Sequence, residues 1–325
     1  MSHPCTCTLV RVNDCRRDEP GRPSGAGRYA PSPSGDLHIG NLRTALLAWL
    51  FARSTGRRFV MRMEDLDRVA PGAADRQLAD LAALGIAWDP PMMWQSQRRL
   101  SYDGAINDLQ RRGLTYECFC TRREILEAPS APHAPAGAYP GTCRDLTDAQ
   151  RQAKRDTGRP PAIRLRAEVA EFTVVDALLG SHTGMVDDCV LRRGDGIPAY
   201  NLAVVIDDDA QGVDQVVRAD DLLSSAPRQS YLATLLHISP PVYAHVPLVL
   251  NTLGARLAKR DGAVTLSDLA LGGIDSGRVL SMLAHSLGMV DRHDSVTAGE
   301  LLGRFDPQRL SREPWRIEPA DLQST

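Results

Sequence analysis

The sequence predicts an α/β protein built on a mostly parallel sheet, with an inserted module and a helical C-terminal part. Helix-like and strand-like text alternates from Gly27 onward, several runs are uniformly apolar as in strands buried on both faces, and aromatic residues make up only 5% while Ala, Leu and Arg abound. With 325 residues, 43% of them apolar and 24% charged, the chain can bury an ordinary core spread over roughly two or three structural units. The balance of 38 basic against 40 acidic residues excludes a long basic tail or a wholly acidic disordered chain. It neither demands nor excludes a nucleic-acid partner, because a local Arg-rich face can neutralise phosphates.

Residues 1–24 have no sustained period and read as a loosely ordered extension, with Cys5, Cys7 and Cys15 incidental to it. Arg28-Tyr29-Ala30 is a short extended run, Pro31 to Gly35 is turn-rich, and Asn41 to Arg53 places Leu42, Ala45, Leu46 and Trp49 on one helix face. Gly56 ends that helix, and Arg58 to Met63 follows as a buried strand running into Glu64-Asp65, which completes a β-α-β unit. Helices are expected over Ala73–Leu84 and Leu100–Arg112, separated by a turn at Asp89-Pro90-Pro91. Residues 115–185 change character and are assigned to an insertion, with a charged helix near Asp145–Asp156 and β-rich text over Ile163–Val175. Strand text returns at Tyr200–Ile206 and Gln215–Arg218, then a helix begins within Ser224–Gln229. The resulting division is 1–24, a first half of the α/β domain at 25–114, the insertion at 115–185, a second half at 186–250 and a helical region at 251–325.

No run approaches the roughly 18 apolar residues that span a bilayer, and residues 1–24 lack the apolar centre of a secretory signal. Seven cysteines in a chain of this length suit a reducing compartment, so a cytoplasmic location without membrane attachment is expected. His38 and Gly40 stand where a first strand gives way to a helix N-terminus, a place whose unpaired N–H groups attract phosphate. His38 can donate to a phosphoryl oxygen there, and Gly40 lets a ring or ribose approach the backbone. Cys118 and Cys120, with Cys143 beyond a Pro/Gly-rich loop, have the makings of a metal site; by ligand frequency His133 is the better fourth donor, and Cys189 belongs to the core.

The run Arg28 to Asn41 (RYAPSPSGDLHIGN) resembles the signature of glutamyl-tRNA synthetases and their short relatives, the glutamyl-Q tRNA(Asp) synthetases, including the "HIGH" element. Arg62–Asp67, Pro198–Ala203, Val217–Leu223, Pro227-Arg228-Gln229 and Leu257–Arg260 recur in that family's order. The resemblance implies a Rossmann-type class I synthetase core with a zinc-containing insertion and a helical C-terminal subdomain. It implies that L-glutamate is bound by the run Arg28, Tyr29, Ala30, Pro31 and Ser32 together with Glu64, Tyr200 and Arg218. Arg28, Ser32 and Arg218 would supply donors to carboxylates, Tyr200 a hydroxyl, and Glu64 a partner for the α-ammonium. ATP with Mg²⁺ would meet His38, Gly40 and Lys259, with His38 and Lys259 the catalytic pair. The Lys259 loop resembles "KMSKS", but Arg256 and Ala258 replace a Lys and a Ser. One structural Zn²⁺ would be held by Cys118, Cys120, Cys143 and Tyr139, the last on the family's Tyr-x-x-x-Cys spacing.

The residues after Lys259 suffice for a bundle beneath the active site and not for an added anticodon-reading region, which favours the short form; a monomer is expected. Its implied reaction is ATP-dependent activation of glutamate without tRNA, then transfer to queuosine at the wobble position of tRNA(Asp). Arg122, Arg123, Arg144, Arg151 and Lys154 are candidate phosphate contacts. The rival readings are a truncated glutamyl-tRNA synthetase charging the 3′ end of tRNA(Glu), and a non-catalytic tRNA-binding paralogue.

Overall fold

The computed structural model describes residues 25–127, 139–255 and 264–317. The 1–24 extension, His133, and Lys259 with its loop neighbours Arg256, Ala258 and Arg260 lie outside the described residues. The chain runs β1 (Ala26–Tyr29), α1 (Ile39–Ser54), β2 (Arg58–Met63), α2 (Ala73–Ala83), β3 (Asp89–Trp94), α3 (Arg99–Arg111), β4 (Thr115–Cys118) and α4 (Arg122–Glu127). It continues with α5 (Asp148–Arg155), β5 (Ala162–Leu165), β6 (Glu171–Asp176), β7 (Gly180–Met185), β8 (Val190–Arg192), α6 (Tyr200–Gln211), β9 (Val213–Ala219) and α7 (Ala226–Leu235). Last come β10 (Val242–Val246), β11 (Val249–Leu250), α8 (Leu266–Leu271), α9 (Ser276–Ser286), α10 (Ala298–Arg304) and β12 (Trp315–Arg316).

The main sheet has the order β3-β2-β1-β9-β10-β6-β7 and is parallel except for the β6–β7 hairpin. Strand order reverses between β1 and β9, because the chain leaves β1 toward β2 and β3 but leaves β9 toward β10. In such sheets a crevice opens beyond the strand C-termini at the reversal. One sheet face, with Phe59, Met61, Val217 and Ala244, packs on α1 and on the C-terminal helices α8, α9 and α10. The other, with Ala26, Val60, Val216 and Tyr243, packs on Ala226 of α7, and a neighbouring core joins α3, α6 and α7. Burial on both faces accounts for the unbroken apolar text of the strands. Gly27 is required for this closeness: a Cβ there would lie 2.7 Å from the Cβ of Ala52 on α1.

Three local differences from the sequence reading have physical causes. Tyr200–Ile206, read as a strand, is the first part of α6. Leu202, Ala203, Val204 and Val205 are all buried, and a helix enclosed on most sides shows the same apolar run as a buried strand. The deciding features were its length through Gln211 and Gly212 at φ 69 as C-cap. Asp89-Pro90-Pro91, read as a turn, opens β3, an edge strand, where missing N–H groups cost no ladder bond. Residues 171–185, read within the insertion, pair with the main sheet as β6 and β7. The smaller antiparallel sheet is β4-β5-β8 and draws its last strand from beyond residue 185.

Candidate active site and metal centre

A cavity of about 410 Å³ opens at the C-terminal ends of β1, β2 and β9. Arg28, Tyr29, Ala30, Pro31, Ser32, Glu64, Tyr200 and Arg218 all line it. The turn-rich run that forms one wall is pinned by Gln77, whose Nε2 donates to the carbonyls of Ser32 (3.1 Å) and Gly35 (2.6 Å).

Two buried guanidiniums make the cavity cationic. Arg28 is 5% exposed; its Nη1 donates to the Val217 carbonyl at 3.2 Å, and its Nε lies 3.5 Å from Asp208 Oδ1. Arg218, 4% exposed, donates to His245 Nε2 (3.0 Å), Gln229 Oε1 (2.7 Å) and the Leu222 carbonyl (3.2 Å). None of these acceptors is charged, and no carboxylate of the described residues forms an ion pair with Arg218. A buried charge without a counter-charge is costly, and its position on a cavity wall matches it to an anionic ligand.

Glu64 supplies the opposite sign across the same cavity. Its backbone N–H donates to the Pro31 carbonyl at 2.9 Å, and Arg62 Nη2 lies 3.4 Å from Oε1. Burial pushes its carboxyl above the ordinary range, the nearby Arg62 and Arg28 pull it down without overcoming burial, and Asp208 adds to the rise. An arriving ammonium would offset that burial cost directly. Behind Glu64, fully buried Arg62 donates to Asp208 Oδ1 (2.7 Å) and Gln211 Oε1 (2.9 Å). Asp207 accepts from Gln95 (2.8 Å), Arg98 (2.6 Å) and Tyr102 (2.7 Å). These acids went unnoticed in the sequence, although a run of three aspartates closing an apolar segment was the available signal.

His38 is the N-cap of α1 rather than a residue ahead of it. Its Nδ1 accepts from the N–H groups of Gly40 (3.1 Å) and Asn41 (3.3 Å), while Asn41 Oδ1 accepts from the His38 N–H (3.2 Å). With Nδ1 accepting, the ring proton belongs on Nε2, the donor form. Gly40 has a more immediate role than the one expected: a Cβ there would lie 3.0 Å from His38 Cε1 and 3.1 Å from Nδ1, so the imidazole itself occupies that space. Ile39 N–H donates to the Val264 carbonyl at 3.0 Å, which ties the described end of the segment following Lys259 to the start of α1.

A second cluster lies in the small sheet. The sulfurs of Cys118, Cys120 and Cys143 lie within 4.8 Å of one another, with Cys120 and Cys143 at 3.5 Å. Tyr139 Oη lies 3.3 Å from Cys118 Sγ and 3.9 Å from Cys120 Sγ, and accepts from the Cys143 N–H at 2.8 Å. A tetrahedral zinc with ordinary bond lengths sets its ligand atoms roughly 3.6–3.8 Å apart, so the donor set fits one. The hydrogen bond from Cys143 pushes the Cys118 thiol down to about 4 against its burial, helped by Tyr139 and Arg164. Cys189 is buried in the core. Of the candidate phosphate contacts, Arg144 is committed to Asp188 and the Ala167 carbonyl, Arg151 to Asp148 and Arg123 to Glu127. Among the described residues, no helix is long and apolar enough to cross a membrane.

The family description "tRNA synthetases class I (E and Q), catalytic domain" matches residues 26–324. The chain belongs to this family. Synthetases of this class are ligases that use ATP with Mg²⁺. Among curated relatives of this synthetase, a glutamyl-Q tRNA(Asp) synthetase of Nocardia farcinica is 67% identical over 90% of the chain and 92% of the relative. One of Cutibacterium acnes is 54% identical over 93% and 90%. Among solved structures, a glutamate-tRNA synthetase of Elizabethkingia anophelis superposes with a TM-score of 0.77 at 25% identity, covering 92% of this chain and 69% of that one.

Proposed function

We propose that this synthetase activates L-glutamate with ATP in the absence of RNA and transfers the glutamyl group to queuosine at the wobble position of tRNA(Asp), acting as a cytoplasmic monomer. The observation that carries the first half is the pairing, in one cavity, of buried Arg218, which forms no ion pair among the described residues, and half-buried Glu64 with an elevated pKa. The second half rests on the name borne by relatives such as the one 67% identical.

Arg28 and Arg218 hold carboxylate, and their fixed N–H donors would be left unpaired by the NH₂ of glutamine, which disfavours the amide. Glu64 takes the α-ammonium, and Tyr200 closes the open side. The α-carboxylate, already ionised, attacks the α-phosphorus of ATP; the new C–O–P link forms as the bond to the bridging oxygen of pyrophosphate breaks. No general base is needed, so rate comes from alignment and from donors aimed at the phosphoryl oxygens. His38 Nε2–H provides one, since the first amides of α1 are taken by the His38 ring and the Val264 carbonyl, and the resemblance adds Lys259. Mg²⁺, when bound, neutralises the departing pyrophosphate. In the second step a queuosine hydroxyl attacks the activated carbonyl and AMP leaves. Cys118, Cys120, Tyr139 and Cys143 would hold a zinc in a structural role, since four protein ligands would leave no position for water.

Glu64 must be ionised to hold the ammonium, and its folded pKa is raised. The KM for glutamate is therefore expected to rise as pH falls through that value and to level off above it, while the KM for ATP changes little. A flat glutamate profile through the acid range would remove Glu64 from this role. Cys143→Ser is expected to lower bound zinc from about one equivalent per chain to well under half; an unchanged metal assay would refute the ligand set.

The acceptor is tested by incubating the protein with ATP, labelled glutamate and purified tRNAs. Label is expected on tRNA(Asp) containing queuosine and not on tRNA(Asp) lacking it. Label on the 3′ end of tRNA(Glu) would establish the truncated-synthetase reading instead, and no adenylate or transfer at all would leave a non-catalytic paralogue.

A further inference from the structure

Arg218, His245 and Asp176 stand on three neighbouring strands, β9, β10 and β6, at the end of the sheet where the cavity opens. His245 lies directly opposite Arg218 in the β9–β10 ladder, and Asp176 pairs with Tyr243 in the next. Arg218 Nε donates to His245 Nε2 at 3.0 Å, and His245 Nδ1 lies 2.6 Å from Asp176 Oδ2. His245 and Asp176 are each 2% exposed. An arginine N–H only donates, so Nε2 must accept and the ring proton must sit on Nδ1, facing Asp176. This is the opposite tautomer from that of His38. Asp176 is held in turn by the N–H groups of His245 (3.0 Å), Leu178 (2.8 Å) and Leu179 (2.9 Å). The Tyr243 ring stacks on the imidazole at 5.6 Å, and burial, together with the Arg218 charge, holds His245 neutral against the pull of Asp176.

The chemistry of this arrangement differs from an ordinary ion pair. A carboxylate placed against Arg218 would neutralise it and compete with any anionic ligand. A neutral imidazole satisfies the Nε–H and fixes the plane of the guanidinium, while the carboxylate of Asp176 stays one ring away and makes no ion pair with Arg218.

We propose that the buried His245–Asp176 couple is a positioning device for Arg218, which keeps the guanidinium's charge and remaining N–H groups for the carboxylate of an acidic amino acid and thereby sets the preference for glutamate over glutamine. This rests on the glutamate reading of the cavity. Neither residue touches substrate; both act through Arg218.

In glutamate-dependent ATP–pyrophosphate exchange, His245→Leu is expected to raise the KM for glutamate by about ten- to a hundredfold, the loss of one charge-assisted contact. It should narrow the glutamate-to-glutamine ratio and leave the KM for ATP within about twofold. His245→Gln, whose Oε1 can accept the Arg218 Nε–H, should recover most of the selectivity. An unchanged glutamate KM in folded His245→Leu, or equal rises for glutamate and ATP, would overturn the proposal, as would a Gln variant no better than Leu. The wild-type protein supplies a check that depends on no variant. Nitrogen-15 ring correlations of His245 should show the Nδ1–H tautomer, and an Nε2–H or doubly protonated ring would contradict the arrangement. Absence of glutamate-dependent exchange in the wild type would instead defeat the glutamate reading, while the tautomer would still decide for or against the contact with Arg218.

Discussion

Arg218→Ala is expected to lower kcat/KM for glutamate-dependent exchange by about a thousandfold, the cost of removing one partner from a buried charge pair. The folded chain should survive the change. Arg218 donates only to uncharged acceptors, His245, Gln229 and the Leu222 carbonyl, so its removal strands no carboxylate and should cost about 1–3 kcal/mol of stability. Arg218→Lys should not restore activity, because a point charge on a flexible stem replaces a planar fork. Exchange assays beside a denaturant titration separate the two effects; near-normal exchange in the Ala variant would remove Arg218 from the site.

Arg62 presents the reverse case, in which stability suffers most. Its side chain is inaccessible and serves Asp208 and Glu64, with Asp207 at 4.0 Å from Nε. Burial alone would make the guanidinium easier to deprotonate, but the surrounding acids, Asp208 foremost, keep it firmly charged. Arg62→Met preserves bulk while removing the 2.7 Å partner of Asp208, leaving it only Arg28 at 3.5 Å, and the 3.4 Å partner of Glu64. The expected loss is about 3–5 kcal/mol, a large fraction of the roughly 5–15 kcal/mol available to a folded domain. A shift of the urea midpoint worth less than about 1 kcal/mol would show that Arg28 beside Asp208 and Arg98 with Gln95 at Asp207 suffice for these acids.

The sequence made the β1-α1-β2 unit legible because each part carries its own local signal: a helix face, a terminating Gly56 and a compact apolar strand. The residues proposed to hold the amino acid were also legible, since the quoted motifs fall at the ends of β1, β2 and β9, and the reversal of strand order brings those ends together. Tyr139, expected from the family's spacing, stands beside three thiols, while His133, preferred by ligand frequency, lies outside the described residues. What escaped notice depends on neighbours distant in the chain. Asp176 and His245 are 69 residues apart, and nothing in either local context announces the other. The apolar run at Tyr200 is a helix enclosed by α3 and α7, so periodicity was uninformative there and only its length to Gln211 and the Gly212 cap marked it locally. The pairing of β6 with β10 likewise rests on a contact no local pattern encodes.

The central claim is that fixed charges at Arg28, Arg218 and Glu64 select an acidic amino acid and present it to ATP. Pyrophosphate exchange by the purified full chain, with ATP and Mg²⁺ but no RNA, tests it most directly when glutamate, glutamine and aspartate are compared side by side. Exchange with glutamate and little with the other two is the predicted result. Exchange that is absent without RNA, or that proceeds as well with glutamine as with glutamate, would contradict it.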